Sequence, residues 1–357
     1  MQKLIEQVAA HFNTNLSEIK VEPILHGTLH KPNVYRLRIG TDSFLLKKHD
    51  ITVSVTETGF TPFHIERYTI STLNDGGLRV PRMIWESEVH NALLLVWCGD
   101  QTLDTIAQSN SVANLTSTLN TILLQLCRFE SFFAENRIQF QPYHFHFNHK
   151  KTLELLLERG RKTIGYIQHL SKTPHSTSHK KRLDAAWTIF ANRLLEATPT
   201  LGSLDYQAHN IVIDEDIPTF IDFTSIGWDW QERRLVQYFN SIGANQEGAN
   251  FVSLLNRELV ETYAEWVVQN REKTNVTNVA ARVDGHHLLL YLTVVHRILE
   301  AVARPEESEN QTLMQAWGDM RLRFQHAISL IVNTDLSDDE YINLIREMIG
   351  EFQATVS

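Results

Sequence analysis

Apolar and polar positions alternate through RLRI (36–39) of VYRLRIG (34–40), and the apolar run FLL (44–46) heads SFLLKKH (43–49); both segments read as strands. Gly40, Thr41 and Asp42 between them supply turn chemistry and predict a hairpin. PRMIW (81–85) and NALLLVW (91–97) predict a second strand pair around the polar ESEVH. Between the pairs, TPFHIERYTISTLNDGG carries Phe63, Ile65, Tyr68, Ile70 and Leu73 at helical spacing, and Gly76-Gly77 ends the segment. The N-terminal MQKLIEQVAAHF also has helical apolar spacing.

Past Gly99 the period changes to that of helices, with candidates at 102–108, 112–135, 150–170, 178–197, 229–243, 250–271, 278–303, 310–333 and 336–353. A hairpin at 210–222 is the only strong strand signal inside that helical part. The pattern predicts an α+β chain with a strand-rich N-terminal lobe over 1–97 and a larger helical C-terminal lobe over 98–357.

Composition narrows the function classes. Thirty-three basic against 42 acidic residues leave a net charge of −9, which argues against broad nucleic-acid binding. Cys98 and Cys127 are the two cysteines, too few for a disulfide scaffold or a cysteine-rich zinc site, so the expected compartment is reducing. The apolar run LLLYLTVV (288–295) is too short to span a bilayer, and the N-terminus lacks a signal peptide's apolar core. The expectation is a cytoplasmic enzyme or regulator with no membrane and no nucleic-acid partner. Nothing in the chain predicts an oligomeric state.

LDYQAHNIVIDEDIPTFIDF (204–223) holds the densest candidate chemistry. NIVI (210–213) and TFID (219–222) are β-prone, and Asp214 to Pro218 supplies a turn. A turn centred on Asp216 sets Asn210 across from Asp222, and an amide oxygen beside a carboxylate suits Mg²⁺. Asp205, in the loop feeding that end, is placed to orient a hydroxyl and accept its proton.

SLDYQAHN (203–210) followed by FIDF (220–223) resembles the aminoglycoside phosphotransferase and choline kinase family, whose catalytic loop reads H-G-D-x-x-x-x-N before a short hairpin ending in I-D-F or I-D-W. The resemblance spans roughly residues 20 to 300 and implies a protein-kinase-like, bilobal fold. FLLKK (44–48) resembles its third strand, making Lys47 the implied phosphate contact, with Lys48 as the alternative because alternation sends the two to opposite faces. HIERYTISTL (64–73) implies Glu66 as the acid pairing with that lysine. LLLVWCGDQTL (93–103) implies a hinge at Val96, Trp97 and Cys98 whose backbone holds a purine edge. On this template Asn210 and Asp222 hold Mg²⁺ and Asp205 aims an acceptor hydroxyl at the γ-phosphorus of ATP or GTP. The implied activity is transfer of that phosphoryl group to a small-molecule alcohol such as an aminoglycoside, an amino alcohol or a sugar-like compound.

Three features depart from the family pattern: Ser203 and Leu204 in place of His-Gly, the lone Gly27 in the expected phosphate-covering loop, and Arg234 where a loop-bracing Asp is usual. They motivate an alternative, a catalytically idle nucleotide-binding or regulatory protein. Trp228, Asp229, Trp230 and Glu232 follow the metal loop and offer aromatic faces and carboxylates to a cationic acceptor. HFHFNH, with His144, His146 and His149, reads as local polar surface rather than a zinc site.

Overall fold

The computed structural model describes residues 1–26, 29–109, 115–145, 147–170, 177–271 and 273–356. Its N-terminal part is a five-stranded antiparallel sheet in the order β1-β2-β3-β5-β4, built from β1 (Ile19–His26), β2 (Leu29–Ile39), β3 (Asp42–Lys48), β4 (Met83–Ser87) and β5 (Ala92–Val96). Both predicted pairs are present. β1 adds a strand that the alternation at 34–49 did not signal.

Alternation sorts the sheet's side chains between two helices. Phe44, Leu46, Ala92 and Leu94 bury against Leu4, Ile5 and Val8 of α1 (Gln2–Phe12). Leu93 and Leu95, with Leu45 beside them, pack against Phe63, Ile65 and Ile70 of α2 (Pro62–Asp75). Lys47 follows Leu45 at a spacing of two and therefore shares the α2 face, whereas Lys48 falls on the other. α2 starts cleanly: Pro62 is its first residue, and the side chains of Thr61 and His64 form a reciprocal cap.

The chain leaves the sheet through Gly99, whose φ of +127° excludes other residues. A Cβ there would lie 3.0 Å from Asp214 Cβ, so the connector crosses tight against a hairpin. β6 (Gln101–Thr102) pairs with that hairpin. Then follow α3 (Leu103–Ser109), α4 (Thr116–Glu135), α5 (Arg137–Phe140), α6 (His149–Leu170) and α7 (Thr177–Glu196). The next stretch brings β7 (Thr200–Ser203), β8 (Ile211–Asp214), β9 (Ile217–Phe220) and β10 (Ile226–Asp229). After it come α8 (Gln231–Tyr238), β11 (Asn240–Ser241), β12 (Val252–Ser253), α9 (Arg257–Asn270), α10 (Val276–Ala303), α11 (Ser308–Trp317), α12 (Met320–Asn333) and α13 (Glu340–Val356).

Two apolar clusters organise the molecule below the sheet. One runs from the α2 face of the sheet through α4, the β8–β9 hairpin and α9. The other joins α6, α7, α10, α12 and α13. An N-terminal antiparallel sheet joined to a larger helical part is the α+β architecture expected from the sequence.

Several expected elements need correction. The helix expected over 229–243 is an eight-residue α8 flanked by β10 and β11, because Asp229 is paired with Thr200 in the ribbon with β7, Trp230 is the extended residue that starts the helix, and Asn240 and Ser241 pair with β12. The helix expected over 250–271 begins only at Arg257, where Asn256 caps Leu259 N–H. The one expected over 310–333 breaks at Gly318, with φ +70°, and restarts where Asp319 caps Arg321 and Leu322. The β7–β10 and β11–β12 ribbons show that the hairpin is not alone among the helices. Both are two to four residues per strand, too short to show a period.

Candidate active site

Lys47, Glu66 and Asp222 meet beneath the sheet. Lys47 Nζ donates to Glu66 Oε1 at 2.8 Å and to Asp222 Oδ1 at 2.8 Å. Lys48 instead lies 3.4 Å from the exposed Asp50, which removes it as the alternative. Burial disfavours the Lys47 ammonium, but the charges of Asp222 and Glu66 outweigh burial and hold the group above its ordinary value. Burial likewise opposes the Asp222 carboxylate, yet the charge and hydrogen bond of Lys47, with help from Lys31 and Thr224, keep it well below the usual carboxylate range. Glu66 is 1% exposed, and its other oxygen lies 3.0 Å from His49 Nε2. His49 was legible in principle: alternation puts 47 and 49 on one face.

The hairpin below carries the second half. Its register pairs Ile211 with Phe220 and Asp214 with Ile217. Glu215 and Asp216, at φ +47° and +63°, form the two-residue turn. That register corrects the expected pairing by one residue: Asn210 faces Ile221, whose N–H donates to the Asn210 carbonyl at 2.9 Å, and Asp222 lies just beyond the ladder. There Asp222 takes a φ of +64°, an uncommon conformation for a side-chain-bearing residue that Asp and Asn tolerate best.

Asn210 is fully buried. Its Nδ2 donates to the Asp205 carbonyl at 2.9 Å, which fixes the amide, and its Oδ1 has no hydrogen-bond partner. A buried amide oxygen left open next to an ionised carboxylate is a donor pair for a hard cation. Among the described residues no group of three or more His, Cys, Asp or Glu could hold a metal. The donors present therefore fit Mg²⁺, which takes one or two protein ligands plus phosphate oxygens and water, rather than an all-protein cage. His146 lies outside the described residues. His144 sits edge-on to Trp228 and His149 to Trp230.

Asp205 occupies the loop between β7 and β8. Its N–H donates to Ser203 Oγ at 3.2 Å, and its Oδ1 accepts from Gln207 Nε2 at 3.0 Å. Burial, and behind it the charge of Asp222, pushes its carboxyl upward. Since the folded value lies above the unfolded one, the stability tied to the neutral acid is present at low pH and lost as pH rises through the folded value. Asp205→Asn, which keeps the acceptor for Gln207 without the charge, is expected to raise the melting temperature at neutral pH by on the order of 1–4 °C. The gain shrinks as the pH falls toward about 4. Thermal melts across that range check it, and a variant no more stable than the parent at pH 7 contradicts it.

Comparison with solved structures places this geometry in a known fold. The chain superposes on a choline kinase from Cryptosporidium parvum Iowa II with a TM-score of 0.53 at 12% identity, covering 92% of this chain and 94% of that one. A choline/ethanolamine kinase family protein from Mesorhizobium loti gives 0.50 at 11% identity over 98% of both chains. This chain has the protein-kinase-like fold of choline kinases. A mutant aminoglycoside 2′-phosphotransferase-IIIa in complex with GDP shares it, with a TM-score of 0.50 at 14% identity over 88% and 96% of the two chains. No protein-family model matches the sequence, and no curated protein matches it.

Within this kinase-like fold, two of the departures noted in the sequence, Ser203 and Arg234, turn out to be braces. Ser203 ties the loop by accepting the Asp205 N–H, and β7 pairs through it with Ile226 of β10. Arg234 is buried and grips both oxygens of Glu130, at 2.7 and 3.1 Å, and the Thr200 carbonyl at 3.1 Å. A Cβ on Gly202 would meet the Arg234 guanidinium at 2.9 Å, so that glycine makes room for the arginine. Gly27 lies outside the described residues.

Three of the four residues proposed for a cationic acceptor, Asp229, Trp230 and Glu232, are engaged inside the fold. Asp229 is wholly buried, accepting from the Tyr206 hydroxyl, from Trp230 N–H at 2.9 Å and from Arg233 Nη1 at 2.7 Å. It thus fixes the residue next to Asp205, a contact that 23 residues of separation hid from the sequence. Trp230 is 2% exposed and donates its Nε1 to the Ala197 carbonyl at 2.9 Å. Glu232 is buried in an ion pair with Arg282 at 2.6 Å. Trp228 is half-buried beside Thr200, Leu201 and Gln231. Asp229, at the end of β10, and Trp230 and Glu232, at the start of α8, are turned into the interior.

At the expected hinge, Val96 N–H donates to the Arg82 carbonyl at 2.9 Å and Trp97 N–H to the Ser43 carbonyl at 3.3 Å. Those two donors are spent on the sheet. Of the hinge N–H groups, that leaves Cys98's to meet a purine. Burial raises its thiol to about 11, so it stays neutral.

Proposed function

We propose that the protein is a phosphotransferase that moves the γ-phosphoryl group of ATP or GTP to an alcohol of a small molecule. The observation that carries this reading is the convergence of Lys47, Glu66 and Asp222, drawn from β3, α2 and the end of the hairpin, with the open Asn210 oxygen one ladder position away. On this reading Lys47, steadied by Glu66, neutralises phosphate oxygens. Asp222 and Asn210 hold Mg²⁺, which supplies charge neutralisation when bound. Asp205 accepts a hydrogen bond from the acceptor hydroxyl and takes its proton as the oxygen attacks; its upward-shifted carboxyl makes it a better base than an ordinary aspartate. Positioning and electrostatics provide most of the acceleration, since phosphoryl transfer asks little covalent help of the protein.

The test is direct. Purified protein with Mg·ATP or Mg·GTP is incubated with a panel of amino alcohols, aminoglycosides, sugars and hydroxy acids, and products gaining one phosphoryl group are sought by mass spectrometry. A product made by the parent and absent with Asp205→Ala supports the reading. No product across the panel, together with no melting shift on adding Mg·nucleotide, argues for the idle nucleotide-independent alternative.

A further inference from the structure

Two cavities open on the helical side of the loop that holds Asp205. The nearer, of about 220 Å³, is walled by Gln207, Ala208 and His209, and Gln207 is the residue bonded to the Asp205 carboxylate. The farther, of about 370 Å³, shares Gln237, Ile242, Arg297, Leu313 and Trp317 with it. Together they make one cleft that starts at Gln207, beside the proposed base, and ends between α6, α10 and α11, with room for a small metabolite.

The charges along this cleft are unevenly matched. Arg297 lines both chambers, its guanidinium 5.5 Å from the centroid of Trp317. Arg159 of α6 lines the outer chamber. Neither makes an ion pair within the described residues. The third arginine there, Arg233, is committed to Asp229. Of the two carboxylates at the outer chamber, Glu300 lies 3.3 Å from His296 Nε2, and Glu309 stands on α11. Burial and the neighbouring Arg159 charge depress Arg297, and Glu300 and Glu309 do not restore it.

His286 adds an independent sign of a ligand. It is 3% exposed, it lines the outer chamber, and its Nε2 has no hydrogen-bond partner. Burial, then the charges of Arg233 and Arg282, pushes it down to about 3, so it is a neutral imidazole whose open nitrogen lacks the partner that buried polar groups ordinarily have.

We propose that this cleft is the acceptor site and that it takes a hydroxyl-bearing small molecule with an anionic group, a carboxylate or a phosphate, at the end remote from the reacting hydroxyl. Arg297 and Arg159 hold the anion, His286 bonds a polar group of the body, and the phosphorylated hydroxyl reaches past Gln207 to Asp205. The assignment of a reacting hydroxyl rests on the phosphotransferase reading; the affinity of the cleft for an anion does not.

Calorimetric titration of the nucleotide-free protein tests it with three probe sets: glycerol 3-phosphate and gluconate as anions, glycerol and ribitol as neutral counterparts, choline and kanamycin as cations. The expected result is saturable binding of at least one anionic probe, tighter than the neutral and cationic ones. Glycerol 3-phosphate against gluconate tells phosphate from carboxylate. Arg297→Gln should weaken the bound anion by roughly tenfold to a hundredfold. Arg297→Lys should fall between, because it keeps the charge and loses the planar fork. Tighter binding of the cations, anion binding unchanged in Arg297→Gln, or no saturable anion binding at millimolar concentration each overturns the proposal. No nucleotide is present and nothing is transferred, so these failures leave the phosphotransferase reading standing, and a failure of transfer leaves the binding result readable.

Discussion

Asp222→Asn is expected to cut phosphoryl transfer by roughly a thousandfold or more and to abolish stabilisation by Mg·nucleotide. The substitution isolates charge from shape. Asn tolerates the left-handed backbone that Asp222 adopts at φ +64°, and its side chain fills the same space. What disappears is an anionic oxygen that both balances Lys47 and, in the proposed reaction, faces the metal. Lys47 keeps Glu66 at 2.8 Å, so the lysine stays in place while the donor set for Mg²⁺ falls to a pair of amide oxygens. Folded Asp222 titrates below its unfolded value, so its stabilising contribution is present above about pH 4 and is lost as acid drives pH through the folded value. Asp222→Asn should therefore flatten the acid limb of the stability profile. Steady-state turnover, melts with and without Mg·nucleotide, and melts between pH 3 and pH 7 read the three effects. A variant whose turnover stays within an order of magnitude of the parent removes Asp222 from the chemistry.

Arg234→Ala should destabilise the fold by about 3–5 kcal/mol, the range for stranding one member of a buried ion pair. Arg234 is 1% exposed and Glu130 3% at the side chain. Removing the guanidinium leaves the Glu130 carboxylate on α4 buried against Thr200, whose hydroxyl donates to it at 3.0 Å, with its charge uncompensated. The double variant Arg234→Met with Glu130→Leu should recover most of that loss, because it deletes both charges and refills the space. Urea unfolding monitored by circular dichroism reads the difference as a shift in midpoint at constant slope. A single-variant loss below about 1 kcal/mol would mean that water reaches Glu130 and the pair is not the brace described. Because Arg234 anchors β7, which runs directly into Ser203 and Asp205, the single variant should also lose activity, but far less than Asp222→Asn.

The candidate site residues were reached through the family resemblance, and each sits on an element with a strong local signature of its own. Lys47 follows an apolar strand at period two, Glu66 lies on a helix with an apolar stripe, and Asn210 and Asp222 bracket a β-prone hairpin. What the chain did not show was register. The expected pairing was off by one residue because Glu215 and Asp216 both take positive φ, a conformation that no glycine advertises here. The substrate residues were misplaced for a related reason. Trp228 to Glu232 follow the expected metal loop in the chain, whereas Asp229 finds Tyr206 and Arg233 and Glu232 finds Arg282 only once β10 pairs with β7 and α8 packs on α10.

The amino-acid sequence by itself determined the α+β division, the strand pairs and the hairpin, since alternation and helical spacing are local and survive without a partner. The family resemblance then pointed to Lys47 or Lys48, Glu66, Asp205, Asn210 and Asp222. Tertiary structure alone decided which lysine faces α2, that His49 backs Glu66, that Arg234 and Asp229 brace rather than bind, and that the open cleft runs toward Arg297. Those choices depend on burial and ion pairing between segments tens to hundreds of residues apart, where the energy of a charged group is set by what surrounds it and not by its neighbours in the chain.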